Sequence, residues 1–524
     1  MPAPIPNNRP RENFRGDSRT AGKTTAFFCL LFAGLFLLYR PAFRNPPRSD
    51  YWSAFYVFQQ LESSSPPPAW KGVLTFDLWK HGTYRPLSHL VPYLQHRLFG
   101  SRFVWNHITN FAGYCLSILL LYLLAVRLSI DRTLAAIFLT VFAFLFSHCD
   151  ILTWTFQLFT ILGFCSFLLG FILYIDYLQS RRAILLLPVG VLFLYGMQTL
   201  EIFALWPLAI FILPFALASP PRPYLKWRDA APLLAYIFYL GGWLLHRGTT
   251  GALPAPVAGE LGTGLLLVFF NLAYNGIAVT LHPRLAQPVF FDDNMNLGGW
   301  LLSLGTRLEA VASWTGGTVI LLLLVGTWWL LRKRQHRLLA LLAFGFFLYL
   351  TNFFTVATSR LTTNRALYPL SQFRYQYIPN GLLALTLAAA IGALFRPRIR
   401  GKIIIGLILV PVLVFNILAS HRQVALLEER LRPLAVMLDN IRQGLDGGAI
   451  NRDDPLYISS GVPDRVPSPG WNRNMARFME GNFQWFFPAR EMEKFSLQAE
   501  EATWIITKDS YPEISPNPER RKNQ

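Results

Sequence analysis

Long stretches without a charged residue constrain the fold of this chain more than any other feature. Twelve segments of 16 to 25 residues contain no Asp, Glu, Lys or Arg: 24–39, 103–126, 133–149, 151–175, 183–200, 202–221, 230–245, 261–281, 310–331, 338–359, 375–395 and 403–420. About twenty apolar residues in a helix cross the hydrocarbon core of a bilayer, and shorter segments manage it with snorkelling ends. The sequence therefore predicts an all-α polytopic membrane protein.

Composition and charge agree with that class. Only 15% of the residues are charged, against about a quarter in soluble domains. The net charge of +19 comes from basic residues in short loops between the apolar segments, which favours a cytoplasmic position for those loops and argues against nucleic-acid binding. These loops include Arg127 to Arg132, Arg181-Arg182, Arg222 to Arg228, Arg332 to Arg337 and Arg396 to Lys402.

The basic loops also predict the order of the chain through the membrane. Residues 1–23 form a cytoplasmic basic tail, and the segment after them is expected to be a retained span rather than a cleaved signal. Residues 24–420 form a transmembrane domain whose first outer loop is 41–102. Eleven crossings satisfy the charge pattern if 261–281 is a re-entrant or surface-lying outer helix.

Residues 421–524 are then an extracytoplasmic segment. Apolar residues at helical spacing predict an amphipathic helix over 421–445, and the runs 455–459 and 503–507 have strand character. Together they indicate a small α/β appendage. The predicted location is a bacterial inner membrane, with the functional face outside.

Several kinds of chemistry lack their motifs. All four cysteines fall within or at the ends of apolar segments, which supports neither disulfides nor a cysteine metal site. The sequence has no phosphate-binding glycine loop, no Gly-x-Ser-x-Gly elbow and no His-Glu-x-x-His site. We therefore expect no metal and no cofactor.

Asp50 is the strongest candidate for a catalytic residue. It follows the first apolar segment, so its carboxylate would lie just outside the bilayer, where it could take a proton from a hydroxyl group. The alternative is that Ser49 or Asp50 caps a helix over 51–61. A cap alone does not explain the long polar insert 41–102.

Further along this insert, Asp77, His81 and Arg85 recur at four-residue spacing, which places them on one face of a helix. The planar guanidinium of Arg85 suits a phosphate, with His81 beside it. The alternative is a solvated, ion-paired loop.

Other ionisable residues stand at the predicted outer ends of spans. His148, Asp150 and Glu201 are such residues, and they are either functional or simple interfacial turn residues. The outer loop before 375–395 holds Arg360, Arg365 and Arg374 with Tyr368 and Tyr375. These cations could bind a lipid-linked phosphate or anionic lipid headgroups.

Taken in order, these motifs resemble the GT-C superfamily of polyprenyl-phosphate-sugar glycosyltransferases, in the branch of the protein O-mannosyltransferases and their bacterial relatives. The resemblance covers roughly 24–420. It is carried by Asp50 after the first span, Tyr84-Arg85-Pro86-Leu87, Asn106-His107-x-x-Asn110, Phe146-Ser147-His148 with Trp154, Glu201, and Arg374-Tyr375-x-Tyr377-x-Pro379. The chain departs from the family in having a single acidic residue at Asp50 and in having Asp150 and Gln157 in the second outer loop.

The resemblance implies transfer of a sugar from a polyprenyl-phosphate carrier to a hydroxyl of a glycolipid or protein. Asp50 would be the base, while Arg85, His81, Arg360, Arg365, Arg374 and Tyr375 would bind the donor phosphate. Asp77, His148, Asp150 and Glu201 would support the site. The alternatives are an O-antigen polymerase or ligase, a lipid or glycolipid transporter, and an inactive envelope scaffold.

Overall fold

The structure, a computed structural model, describes part of the chain in detail. The described residues are 18–46, 58, 70–79, 84–100, 102–217, 226–250, 326, 330–333, 335–360, 377–395, 397–450, 456–458, 504–506 and 515–516. The segment 261–281, expected to be a re-entrant helix, lies outside them, as does most of 310–331.

Helices dominate these residues, as the apolar segments predict. The α-helices are α1 Ser18–Tyr39, α2 Trp70–Trp79, α3 Leu90–Phe99, α4 Phe103–Arg127, α5 Arg132–Ala143, α6 Cys149–Thr153, α7 Leu158–Ser180, α8 Leu186–Thr199, α9 Leu213–Leu217, α10 Leu234–Thr250, α11 His336–Arg360, α12 Tyr377–Phe395 and α13 Ile399–Asp446. Short 3-10 turns join several of them, including Arg40–Arg44, Phe146–His148, Glu201–Phe203, Trp206–Phe211 and Trp227–Leu233.

Five helical stretches in the described part are long and apolar enough to cross a membrane. They are Gly22–Arg44, Phe103–Arg127, Thr155–Ser180, Tyr377–Phe395 and Ile399–Glu429. Arg132–Ala143 and Phe146–Thr153 add a sixth if this pair, bent by 59°, is one broken span. The helical membrane character of the chain is thereby confirmed, whereas the total of eleven crossings stays a prediction.

The centre of the bundle is α7, which packs between α4 and α8. Phe167 of α7 stacks on Phe193 of α8, with ring centroids 5.1 Å apart, and on Phe203, at 5.2 Å. Trp206, fully buried, meets the edge of Phe203 at 5.1 Å. Aromatic rings therefore fill the core at the turn between α8 and the segment that follows it.

Two predicted spans are less regular than their hydropathy indicates. The boundary predicted between spans 133–149 and 151–175 lies too early, because α5 ends at Ala143 and the chain turns through Phe146–His148, α6 and a further 3-10 turn before α7 begins. The predicted span 202–221 consists of 3-10 turns and the five-residue α9 as far as Leu217. Pro207 at the start of the second turn removes an amide donor, which disfavours a regular α-helix there.

The C-terminal region contains one long helix and a small sheet. The span at 403–420 and the amphipathic helix over 421–445 are a single 48-residue helix, α13. Strand β1 (Leu456–Ile458) pairs in parallel with β2 (Trp504–Ile506), and β2 pairs antiparallel with β3 (Ser515–Pro516). Both strand-like runs thus contain strands, while the appendage as a unit stays a prediction.

Ion pairs gather the basic loops at one end of the bundle. Arg127 pairs with Asp176 at 2.9 Å, Arg181 with Asp229 at 3.0 Å, and Lys402 with Asp131 at 2.5 Å. Arg337 donates to the carbonyls of Ala216 and Leu128 at 3.0 and 2.9 Å. Each contact joins segments that the charge pattern places on the same side of the membrane. We call this the basic end, and the opposite end, which the charge pattern predicts to face outward, the outer end.

Candidate functional site

The structure describes the side chains of four predicted site residues: Arg85, His148, Asp150 and Glu201. Asp50, His81, Arg365, Arg374 and Tyr375 lie outside the described residues. Asp77 in α2 and Arg360 in α11 lie on described backbone, but their side chains are outside the described part. The roles of these residues stay predictions.

Arg85 and Glu201 form an ion pair at the outer end. Arg85 Nε and Nη2 donate to the two carboxylate oxygens of Glu201, so the contact is bidentate. The two side chains are 19% and 22% exposed, which places the pair at the rim of the bundle. Bidentate guanidinium–carboxylate pairs fix orientation as well as charge, so this contact holds the end of the first outer loop against the segment after α8.

A backbone hydrogen bond strengthens this attachment. The amide of Leu87 donates to the carbonyl of Gln198 at 3.1 Å, and the amide of Ser88 donates to the Arg85 carbonyl at 3.0 Å. Arg85 is therefore ion-paired, as the alternative interpretation expects, but its side chain is only 19% exposed and not solvated. Its observed partner, however, lies 116 residues away.

Tyr84 extends the contact to α10. Its ring lies 5.5 Å from the rings of both Tyr239 and His246, and a Cβ at Gly242 would lie 2.1 Å from its hydroxyl. Burial raises the pKa of Tyr84 above its ordinary value of 10.0, so the phenol stays neutral. The motifs in the sequence do not indicate these α10 residues. Gly241-Gly242 within an apolar helix was the available signal for a close approach.

His148 and Asp150 lie in the bend between α5 and α7. His148 is fully buried and Asp150 is 8% exposed, so both side chains lie inside the bundle. Asp150 stands in the first turn of α6, where the helix dipole favours a carboxylate. The Nδ1 atom of His148 lies 2.7 Å from the hydroxyl of Tyr114 on α4.

The motif at Asn106-His107-x-x-Asn110 connects other outer segments. His107 Nε2 lies 3.0 Å from the carbonyl of Asn45, and Asn110 Nδ2 donates to the carbonyl of Trp154 at 2.9 Å. These bonds tie α4 both to the start of the first outer loop and to the second outer loop. Asn110 and Trp154, which belong to two of the motifs that carry the resemblance, are thus in direct contact.

Metal binding has no support among these side chains. Within the described ranges, no group of three or more His, Cys, Asp or Glu is close enough to hold an ion. The charged groups of the described outer end can instead pair with anions or with one another, as Arg85 and Glu201 do.

No protein-family profile matches this chain, and no curated protein does. Among solved structures, it is similar to three of the oligosaccharyltransferase of Archaeoglobus fulgidus: one with zinc and sulfate, one of AglB with an inhibitory peptide and a dolichol-phosphate, and one tethered to an acceptor peptide. Identities are 12%, 12% and 14%, and TM-scores are 0.35, 0.34 and 0.33.

The matches cover 76%, 77% and 75% of this chain but only 53%, 56% and 55% of the archaeal chains. The chain therefore spans little more than half the length of those proteins. Likeness at these identities and scores assigns it to no family.

Proposed function

We propose that this protein is a GT-C-like membrane glycosyltransferase, which moves a sugar from a polyprenyl-phosphate carrier to a hydroxyl acceptor at the outer end of the bundle. The observation that carries the proposal is the Arg85–Glu201 pair. It attaches the loop that bears Asp50 to the bundle at the end opposite the basic loops. The acceptor is a glycolipid or a protein.

The chemistry needs a base and a group that stabilises a departing phosphate. In our proposal, the acceptor O–H gives its proton to the Asp50 carboxylate while its oxygen attacks the anomeric carbon. The bond from that carbon to the phosphate oxygen breaks, the configuration inverts, and the carrier phosphate leaves with the electron pair. One carboxylate suffices for this step.

Arginine side chains would neutralise the leaving phosphate. Arg85 is held by Glu201 in a fixed orientation at the rim, and a preorganised cation stabilises developing charge better than a mobile one. Arg360, Arg365 and Arg374, with Tyr375 and His81, are proposed to complete the phosphate site. Glu201 orients Arg85, while Asp77 and Asp150 support the site through charge.

One of the archaeal oligosaccharyltransferase structures contains a dolichol-phosphate with an inhibitory peptide, and another contains a tethered acceptor peptide. Similar partners for this chain would be a lipid-linked sugar and a hydroxyl-bearing acceptor. A bacterial inner membrane, with the outer end on the extracytoplasmic face, is part of the proposal.

A transporter is the alternative from another class, and the bend between α5 and α6 is the feature that would suit it. Transporters carry broken helices in paired positions around an ion or substrate. Here the bend is packed with side chains from three other helices, which favours a fixed structural role.

The proposal is tested by mass spectrometry of envelope glycolipids and glycoproteins from cells with wild-type protein, Asp50→Asn, Glu62→Gln or no protein. We expect a sugar mass increment that is lost without the protein and falls about 10²–10⁴-fold in Asp50→Asn, the usual contribution of a general base. Glu62, an acid in the same loop, is the control and should change nothing. Equal increments with and without the protein would rule the function out, and normal transfer by Asp50→Asn would rule out the base.

A further inference from the structure

The bend between α5 and α6 is stabilised by side chains of three other helices. Helix α5 ends at Ala143 and α6 begins at Cys149, with a bend of 59° between the two halves. A break inside a membrane frees backbone groups that water cannot satisfy, so the protein itself must supply their partners.

One polar side chain comes from each of α4, α12 and α13, and the three converge on the break from different sides. The contacts are Tyr114 Oη to the Ala143 carbonyl at 2.8 Å, the Phe146 amide to Asn416 Oδ1 at 3.1 Å, and Asn380 Nδ2 to Ser147 Oγ at 3.2 Å. Two of these contacts satisfy backbone groups of the break, and a third joins one of its side chains. All three side chains are buried.

His148 completes this arrangement through Tyr114. The tyrosine hydroxyl has one proton, and its short contact with the Ala143 carbonyl requires that proton. The Nδ1 atom of His148, 2.7 Å from the same oxygen, must then carry the hydrogen and donate it. His148 Nδ1–H, the Tyr114 hydroxyl and the Ala143 carbonyl thus form one continuous chain of hydrogen bonds.

The imidazole is also held in place by packing. Its ring centroid lies 4.7 Å from that of Phe142 and 5.4 Å from that of Tyr377, and both contacts are edge-on. Nε2 is buried and has no hydrogen-bond partner among the described residues. Only Nδ1 therefore connects the side chain to the hydrogen-bond network described here.

We propose that His148 is a positioning residue, which locks the bend through its Nδ1–H bond to Tyr114 and so fixes α6 and Asp150 at the outer end. Its relevance to catalysis rests on the proposed function, in which Asp150 supports the site. The lock itself is a property of the fold and does not depend on the reaction.

Two amide substitutions distinguish the ring nitrogens. Asn at position 148 places its amide near the position of Nδ1, whereas the longer Gln side chain reaches the position of Nε2. The proposal predicts that His148→Asn keeps the hydrogen bond to Tyr114 that locks the bend, and that His148→Gln and His148→Ala lose this bond. Tyr114→Phe, which removes only a hydroxyl, should also lose it.

Cys149 reports the state of the lock without any substrate. Its side chain is buried and its Sγ lies 3.4 Å from the Tyr39 hydroxyl. In a chain whose other cysteines (Cys29, Cys115 and Cys165) are replaced by Ala, a membrane-permeant maleimide can react only at this position. The rate of that reaction measures how often the bend opens.

We expect the labelling rate to rise about ten-fold in His148→Gln, His148→Ala and Tyr114→Phe, as follows when a buried hydrogen bond is lost. It should rise clearly less in His148→Asn, which keeps the hydrogen bond to Tyr114 and loses only part of the packing of the ring. Thr386→Val, which removes a hydroxyl that bonds only within α12 and leaves the bend intact, is the matched control. The proposal is overturned if Gln protects Cys149 and Asn does not, or if Ala and Phe leave the rate unchanged.

The labelling and the sugar-transfer assay fail independently. A normal sugar increment in Asp50→Asn overturns the catalytic assignment and leaves the labelling result intact. Conversely, an unchanged labelling rate in Tyr114→Phe would overturn the proposal that this hydrogen bond locks the bend, whatever the enzyme transfers. In a transfer assay, His148→Gln should lower kcat with little change in KM, because it displaces a supporting group rather than the donor site.

Discussion

At the scale of single residues, the Arg85–Glu201 pair shows why the pattern of charges in a sequence does not identify which residues form an ion pair. The sequence indicates that each residue stands near the outer surface, but not that they meet, because 116 residues separate them. A guanidinium can bind a carboxylate or a phosphate with the same fork geometry, so its residue type does not decide between them. The structure shows that Arg85 binds a carboxylate, and its binding of a phosphate stays a prediction.

This pair can be tested by its effect on stability. Glu201→Gln should lower the free energy of unfolding by about 2 kcal/mol, because charge-assisted hydrogen bonds are lost and the guanidinium is left partly buried. The measurement is the thermal unfolding midpoint in detergent, with the exposed Arg182→Gln as the control. The double variant Arg85→Gln/Glu201→Gln should lose less free energy of unfolding than the two single variants lose in total. Strict additivity would show that the two side chains do not interact.

Asp229 at the basic end gives a prediction about pH. Burial alone would raise its pKa, but the Tyr177 hydroxyl, the Lys226 amide and the Arg181 guanidinium outweigh burial and hold the pKa below its ordinary value of 3.8. A carboxyl with a depressed folded-state pKa stabilises the fold fully above its unfolded value. That stabilisation is lost as pH falls through the folded-state pKa.

We therefore expect the difference in melting temperature between the wild type and Asp229→Asn to be greatest above about pH 5 and to shrink below it. Melting curves in detergent from neutral pH downward measure this difference. A gap that widens on acidification would contradict the sign of the shift.

At the scale of elements, the contact between α7 and α8 depends on glycines that permit close approach. A Cβ at Gly196 of α8 would lie 2.4 Å from the buried ring of Phe167, and one at Gly170 of α7 would lie 2.6 Å from Phe193. These rings stack on each other in the core and cannot move aside cheaply. The sequence shows the glycines but not which ring each one faces.

Gly196→Ala should therefore destabilise the protein by about 1–3 kcal/mol, the usual cost of overfilling a packed core. Gly190, on the same helix, has no neighbour within 4 Å of an added Cβ and provides a matched control. Gly190→Ala should be neutral or should stabilise the protein by up to about 1 kcal/mol, since alanine favours a helix. Equal melting temperatures for the two variants would show that α7 and α8 do not pack through Gly196.

The same scale shows where prediction from sequence stops. The segments without charged residues locate membrane helices such as α4 and α12 to within a few residues, because the thickness of the hydrocarbon core sets the length of such a segment. It does not locate the bend after Ala143, since two of the side chains that stabilise the bend, Asn380 and Asn416, lie 233 and 270 residues from their partners. Polar residues inside apolar segments were the available signal, but they do not show which residue contacts which.

At the scale of the whole molecule, the charge pattern and the contacts describe the same two ends. Loops assigned to one side by their Arg and Lys content are joined to one another by Arg127, Arg181 and Lys402. The first outer loop instead contacts Glu201 and α10 at the other end. The charge of a loop governs the side of the membrane on which it stays, whereas contacts between side chains govern folding. The two agree here, which supports the predicted alternation of the helices across the membrane.

The side of the membrane on which each end lies can be measured directly. In a chain with its four native cysteines replaced by Ala, single cysteines are introduced by Lys71→Cys in α2 and Arg182→Cys after α7, both at exposed positions. An impermeant maleimide added to intact cells should label position 71 at least about ten-fold faster than position 182, because the charge pattern predicts that the basic loop faces the cytoplasm. In disrupted cells the two rates should become similar, which controls for reactivity. If position 182 is labelled in intact cells and position 71 is not, the loop that bears Asp50 faces the cytoplasm, and an extracytoplasmic sugar transfer by that carboxylate is impossible.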